Sequence, residues 1–225
     1  MLSVVIPTQN EAAVIGARLD EIEAAHVAGE VIVADGGSAD GTQAIVERRG
    51  VRLIEGPSGR GAQLAAGARA ATGNWLLFLH ADTQPGPGWQ TVIKRFMDEP
   101  KNRFCAGYFR FALDDAHSAA RRLEQMVNWR CQMASLPYGD QGLLINVDYY
   151  SRLGGFPAIP LFEDVALVRK IPRHRLKELP CVAVTSAERY QRDGYLMRPL
   201  KNVSLLALYF LGFPPGYLAT LYKSE

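Results

Sequence analysis

Cysteine is scarce: Cys105, Cys131 and Cys181 are widely spaced, with no CxxC pair and no zinc-ligand spacing. A disulfide framework and a thiolate metal site are therefore not expected, and a reduced, cytoplasmic setting is. Long apolar runs are missing too. The longest, residues 203–213, falls short of the roughly 20 residues that span a bilayer and is interrupted by Pro214 and Pro215. No basic segment followed by an apolar core opens the chain, so no signal peptide is expected. Charge of one sign is also lacking. Lys and Arg total 25 against 23 Asp and Glu, a formal net charge of +2, so nothing global favours a nucleic acid as partner. Several catalytic signatures are absent as well: GxGxxG after the first apolar run, GxxxxGK[ST], GxSxG and HExxH. Dinucleotide-binding Rossmann, P-loop, nucleophile-elbow and zincin chemistries lose their support.

What is present is a regular alternation of strand and helix patterns in a chain that is 48% apolar and long enough for one sizeable core. Residues 2–7 (LSVVIP) read as a strand, and Asn10, a good N-cap, leads into a helix with Val14, Ile15, Leu19 and Ile22 on one face. A second strand, 30–34, ends at Asp35 and the turn cluster GGSADG. A helix over 42–49, a strand over 51–54 and a small-residue helix over 59–71 follow. A fourth strand, 75–79, is wholly apolar and stops at His80, Ala81 and Asp82. Four alternations in about eighty residues predict βαβ units on a parallel sheet.

Beyond Pro85 the pattern changes. It predicts a helix over 89–98 and a half-exposed strand over 104–113, with Phe109, Phe111 and Leu113 on one face and Tyr108, Arg110 and Ala112 on the other. A long helix over 118–134 carries Leu123, Met126, Val127 and Met133. Strands at 143–146 and around 182–184 and a terminal apolar helix within 203–221 complete the pattern.

Parallel topology puts the ends of strands one, two and four on one rim, so Thr8, Asp35 and Asp82 are expected to share a crevice. Singly, Asp35 and Asp40 read as turn residues and Asp82 as a cap; the shared rim favours a functional reading. Glu163 and Asp164 suit the first turn of a helix and equally suit a general base, and their spacing does not choose. Gly59, Arg60 and Gly61 open a helix, offering N–H groups and a guanidinium to a pyrophosphate. His80 is the one histidine with a functional case. The basic run 169–177 (RKIPRHRLK) reads first as a solvated face and second as a phosphate or anionic-membrane contact. Residues 203–221 suit packing on the core or on a second copy of the chain, and also peripheral membrane contact.

Four segments in order, SVVIPTQNEA (3–12), VADGGSADGT (33–42), GRGAQLAAGARAATGNWLLFLHADT (59–83) and FEDVAL (162–167), resemble those of GT-A fold, family 2 glycosyltransferases. VTSAERY (184–190) and the apolar tail most resemble a small branch associated by gene context with arsenosugar biosynthesis. The resemblance implies an α/β GT-A fold with a mostly parallel central sheet flanked by helices and a C-terminal apolar helix. Residues 1–225 then form a single GT-A domain, with 1–84 the nucleotide-binding half, 85–190 the acceptor-side half and 191–225 the tail. It implies a nucleotide-sugar donor, UDP-linked, and a divalent cation, Mg2+ or Mn2+.

The resemblance also assigns roles. Pro7, Thr8 and Glu11 flank the nucleobase and ribose, Asp35 belongs to the base-binding rim, and Arg60 approaches the pyrophosphate. His80-Ala81-Asp82 occupies the DxD position, with histidine for the first aspartate and Asp82 as metal ligand. Asp164 is the catalytic base, and Tyr138, Asp140, Gln141 and Glu163 are sugar or acceptor contacts. Gly36 follows Asp35 where many members carry a second aspartate. The QxxRW motif of processive synthases is absent, which implies transfer of one sugar to a small-molecule or lipid-linked, membrane-peripheral acceptor. Two other readings stand beside this one. A sugar-phosphate nucleotidyltransferase would carry a glycine-rich basic loop in place of IPTQNEA. A catalytically inactive nucleotide-sugar scaffold is motivated by His80 and opposed by Asp82 and Asp164.

Overall fold

Residues branched at Cβ fill the first apolar runs, and these pair as strands buried on both faces in a computed structural model that describes residues 1–56 and 58–223. In chain order the elements are β1 (Leu2–Thr8), α1 (Ala12–Ala24), β2 (Glu30–Asp35), α2 (Thr42–Arg48), β3 (Arg52–Glu55), α3 (Arg60–Ala70) and β4 (Trp75–Phe78). Then come β5 (Thr83–Pro85), α4 (Trp89–Asp98), β6 (Ala106–Leu113), α5 (Ser118–Ala134), β7 (Leu143–Asn146), α6 (Val147–Arg152), α7 (Glu163–Val168), β8 (Leu176–Thr185), α8 (Glu188–Asp193), α9 (Met197–Phe210) and α10 (Pro215–Lys223).

Alternate residues of β1 feed two cores. Val4 and Ile6 pack with Ile15, Leu19 and Ile22 of α1, while Val5 packs on the other face with Leu64 and Ala68 of α3. Gly67 lets α3 lie this close, since a Cβ there would stand 2.3 Å from Val5 Cγ1.

One eight-stranded sheet runs β3-β2-β1-β4-β7-β6-β8-β5. Its first half is parallel, as expected, but β7 enters antiparallel to both β4 and β6, and β5 is antiparallel to β8. β6 and β8 pair in parallel, so four of the seven strand pairs are parallel and the sheet is mixed rather than purely parallel. The reversal has a consequence for the site: Leu143 pairs with Phe78, so the residues just before β7 are delivered to the end of β4.

Three local expectations are corrected. Asn10 is not the N-cap of α1; it adopts a left-handed conformation (φ 59°), and the cap is Glu11, without a side-chain bond. The Asn10 side chain instead accepts from Ala39 N–H at 2.9 Å, and Asp40 accepts from Ala12 N–H at 2.9 Å, so the loop after β2 secures the helix start. In β6 the alternation breaks: Phe109 joins the first core, whereas Tyr108, Phe111 and Leu113 face α5. A register shift causes this. Phe109 pairs with Leu179 and Arg110 with Val182, leaving Pro180, which has no N–H, and Cys181 as extra residues in β8. The C-terminal segment is two helices, α9 and α10, separated where Gly212 (φ 92°) and the Pro214-Pro215 pair end the first. Among the described residues, no helix is long and apolar enough to cross a membrane.

Candidate active site at the strand ends

The rim forms where β1, β2 and β4 end together. Thr8 and Asp35 are register partners, and Thr8 Oγ1 donates to Asp35 Oδ2 at 2.9 Å. Asp35 is fully buried and also accepts from the N–H groups of Gly37 and Ser38 at 3.0 and 2.8 Å, from Ser38 Oγ and from Gln43 Nε2. Burial works against its charge, but the bonds from Ser38, Gln43 and Thr8 outweigh that and hold its carboxyl below the usual range. Asp35 thus anchors the loop that follows β2. Gln63 of α3 donates to Thr8 O at 2.6 Å and Ala34 O at 3.0 Å, closing the floor between the two strands. A Cβ at Gly36 would stand 2.9 Å from this amide, so Gln63 fills the space beside Gly36.

His80 and Asp82 follow β4, both half-buried. The antiparallel entry of β7 sets the 138–142 segment against them, and Gly139 is the point of closest approach. A Cβ at Gly139 would lie 2.7 Å from His80 Nε2 and 3.5 Å from Asp164 Oδ2. With no side chain in the way, Gly139 N–H donates to Asp164 Oδ2 at 2.7 Å, while Val165 N–H donates to Oδ1. The carboxylate at the start of α7 is thereby fixed beside the residue that opens the His80-Ala81-Asp82 sequence. A pocket with about 20 Å³ of space, room for one water, is lined by His80, Gly139, Glu163 and Asp164 among others.

Glu163 points inward and is 2% exposed; its Oε1 has no hydrogen-bond partner and lies 3.7 Å from Arg60 Nε. Burial and the neighbouring Asp164 push its carboxyl up to about 7, against the pull of Arg60. Asp140 is pushed up to about 6 by burial, with Arg130 opposing and Asp164 and Asp82 reinforcing, and its Oδ1 is buried without a partner. Asp82, Asp140, Asp164 and Arg60 therefore share one electrostatic environment. Glu11 lies in it too, its carboxyl raised by burial and by Asp82. Burial, then the Arg60 and Arg189 charges, lower the His80 pKa well below normal, so its imidazole is neutral at pH 7.

Of the residues picked out in the sequence, Glu11, Arg60, His80, Asp82, Tyr138, Asp140, Glu163 and Asp164 gather around this crevice. Pro7, Thr8 and Asp35 lie buried at its floor. Gln141 faces away from the crevice: it is fully buried, donates to Phe109 O at 3.0 Å and accepts from Tyr138 N–H at 3.2 Å. Four residues escaped the sequence reading. Gly139 is one, hidden inside YGDQG. Arg130 stacks over the Tyr138 ring with its guanidinium carbon 3.6 Å from the centroid. Arg189 reaches the field of Glu11 and His80 from α8. Arg18 is buried, donates to Ala81 O at 3.4 Å and pairs with Glu21. Arg18 did leave a sign, as a charged residue on the buried stripe of α1.

Two variants probe this arrangement. Because Glu163 keeps its proton to about pH 7 when folded but loses it near the ordinary value of 4.5 when unfolded, its ionisation removes stability as pH rises between those values. Glu163→Gln is therefore expected to match the parent in thermal melting at pH 5 and to melt higher at pH 8. Gly139→Ala displaces the His80 ring from beside Asp164 and is expected to lower kcat by an order of magnitude or more, roughly the effect of an ångström-scale misplacement. Steady-state kinetics beside a thermal melt separates that from unfolding.

Among the described residues, no group of three or more His, Cys, Asp or Glu side chains is placed to hold a metal ion unaided. Mg2+ and Mn2+ sites built from one or two carboxylates and the oxygens of a bound phosphate need no such group. The half-buried Asp82 and the unpartnered Asp140 oxygen fit that donor chemistry.

Carboxylates, a helix N-terminus and an arginine gather around one crevice at the strand ends of this α/β sheet, and its likeness to glycosyltransferases in sequence and in solved structures makes the fold GT-A-like. The family model described as glycosyl transferase family 2 matches residues 3–150, and the chain belongs to that family. PGL/p-HBAD biosynthesis glycosyltransferases of Mycobacterium bovis and Mycobacterium tuberculosis are 43% identical over 91 residues, which is 36% of this chain and 35% of theirs. The match thus spans about a third of the length of these curated relatives. Glucosyl-3-phosphoglycerate synthase from Mycobacterium tuberculosis, solved with Mn2+, UDP and glucosyl-3-phosphoglycerate, shares the fold at TM-score 0.60 and 17% identity, over 83% of this chain and 70% of that one. A mannosyltransferase from Pyrobaculum calidifontis, solved with GDP-Man and Mn2+, gives TM-score 0.60 and 24% identity over 81% and 56% of the two chains.

Proposed function

We propose that this chain moves one sugar, with inversion, from a UDP-linked donor lying along the rim to an acceptor hydroxyl presented to Asp164. The observation that carries this reading is the 2.7 Å bond from Gly139 N–H to Asp164 Oδ2, which holds a carboxylate beside the sequence that ends in Asp82. Asp164 takes the acceptor proton as the hydroxyl oxygen bonds to the anomeric carbon. The bond to the nucleoside diphosphate breaks on the opposite face, and its electron pair leaves with the diphosphate oxygen.

Arg60 and the N–H groups at the start of α3 face the diphosphate. Glu11 borders the nucleoside over a buried floor of Pro7, Thr8 and Asp35, whose carboxylate shapes the loop after β2. Tyr138, Asp140 and Glu163 border the sugar and acceptor, with Gln141 holding Tyr138 in place. A divalent ion, Mg2+ or Mn2+, would be held by Asp82, with His80 beside it, and supplies charge neutralisation at the diphosphate when bound. Mn2+ in both solved neighbours supports that assignment, and UDP in one supports the base. The acceptor is a small molecule or the exposed headgroup of a lipid, and the resemblance of the tail to the arsenosugar-associated branch favours the former. The setting is the cytoplasm.

Thermal melting with UDP, GDP and their sugars, with and without Mn2+, tests the donor site. Stabilisation by a uridine compound, larger with Mn2+, is expected; no shift with any nucleotide contradicts the reading.

A further inference from the structure

The conspicuous surface outside the crevice is apolar on α9 and α5. On α9, Met197, Leu200 and Val203 are 65, 58 and 52% exposed and recur at every third residue, and Leu211, just past the end of the helix, is 76% exposed. On α5, Trp129 and Met133 are 64 and 57% exposed, one turn apart. Between these helices lies the turn joining α7 to β8. Arg169 at its start sits 4.8 Å over the Phe210 ring of α9, and Arg173 donates to Gln132 O of α5 at 2.7 Å. The turn is basic throughout: Arg169, Arg173 and Arg175 are exposed, and no Asp or Glu occurs between Asp164 and Glu178.

We propose that this composite face, α9 and α5 flanking the Arg169–Arg175 turn, docks on an anionic lipid bilayer. Apolar side chains enter the headgroup boundary, a tryptophan sits where its ring prefers to lie, and the arginines meet lipid phosphates. A second copy of the chain is a poorer occupant. A two-fold contact through the same face sets the arginine turn against its own image with no acid within it to answer it. The apolar strip and the cations also supply the two signals that stable peripheral binding requires. Docking here brings the crevice near the lipid surface, because α7 carries Glu163 and Asp164 in its first turn and ends at Arg169. The proposal does not depend on the transferase reading.

The test is co-sedimentation of the full chain with phosphatidylcholine vesicles, with and without phosphatidylglycerol. Binding only to the anionic vesicles, weakened by salt, is expected. Replacing three cations (Arg169→Gln, Arg173→Gln, Arg175→Gln) should lower the partition coefficient roughly a hundredfold, at about fivefold per charge. The pair Trp129→Ser and Leu200→Ser should lower it about tenfold, with circular dichroism confirming that both variants stay folded. Failure to bind anionic vesicles overturns the proposal, as does binding that neither variant weakens. A concentration-dependent dimer abolished by the serine pair, without vesicle binding, identifies a second copy as the occupant instead.

Discussion

Asp164→Asn is expected to lower kcat by two or more orders of magnitude while leaving donor affinity within a few-fold of the parent. The substitution keeps the shape and removes the basic oxygen, so it tests proton removal with little disturbance of packing. Asp164 accepts from Gly139 N–H and Val165 N–H, bonds that an asparagine carbonyl oxygen can keep only in part. A positioned general base contributes roughly 100- to 10,000-fold, which sets the expected loss. The neighbouring acid does not replace it: Glu163 is buried with a carboxyl raised to about 7, and it lies under Arg60. Single-turnover assays and nucleotide titrations separate kcat from binding; unchanged turnover removes Asp164 from the role.

Asp82→Asn is expected to remove most of the Mn2+-dependent part of nucleoside-diphosphate binding and to weaken the nucleotide by at least about tenfold. The reason lies in the donor set. His80 stands where a second acid is common in the motif, so Asp82 is the only carboxylate of that segment, and Arg18 holds the backbone one residue earlier through Ala81 O. Asp140 shares the same field, which allows weak residual metal binding in the variant. Thermal melting with UDP across a Mn2+ series measures the effect. Equal metal-dependent shifts in parent and variant place the cation on other ligands.

The parallel half of the fold was legible because its strands are continuous apolar runs and its helices carry a clear repeat, as in β1 and α1. The shared rim of Thr8, Asp35 and Asp82 followed from topology alone. The second half was harder to read. Nothing in LLIN distinguishes a parallel from an antiparallel strand, and it is the reversed entry of β7 that carries Gly139 to His80 and Asp164. The exchange of faces in β6 depends on two extra residues in its partner β8, which no pattern within β6 can reveal. Asn10 misled for a local reason: asparagine serves as a helix cap and also tolerates positive φ, and the loop holding Ser38 and Ala39 selected the second use. The Asp164 carboxylate was visible as part of an acidic pair, but its fixation by a backbone N–H 25 residues earlier in the chain required the fold.

The most direct measurement follows nucleoside-diphosphate release from a panel of nucleotide sugars by the parent and Asp164→Asn, with Mn2+ and candidate acceptor hydroxyls present. The account predicts release from a UDP-linked donor that depends on the metal, rises with acceptor and falls at least about a hundredfold in the variant. Release at equal rates in both proteins, or no release from any donor by a parent that binds the nucleotide, contradicts it.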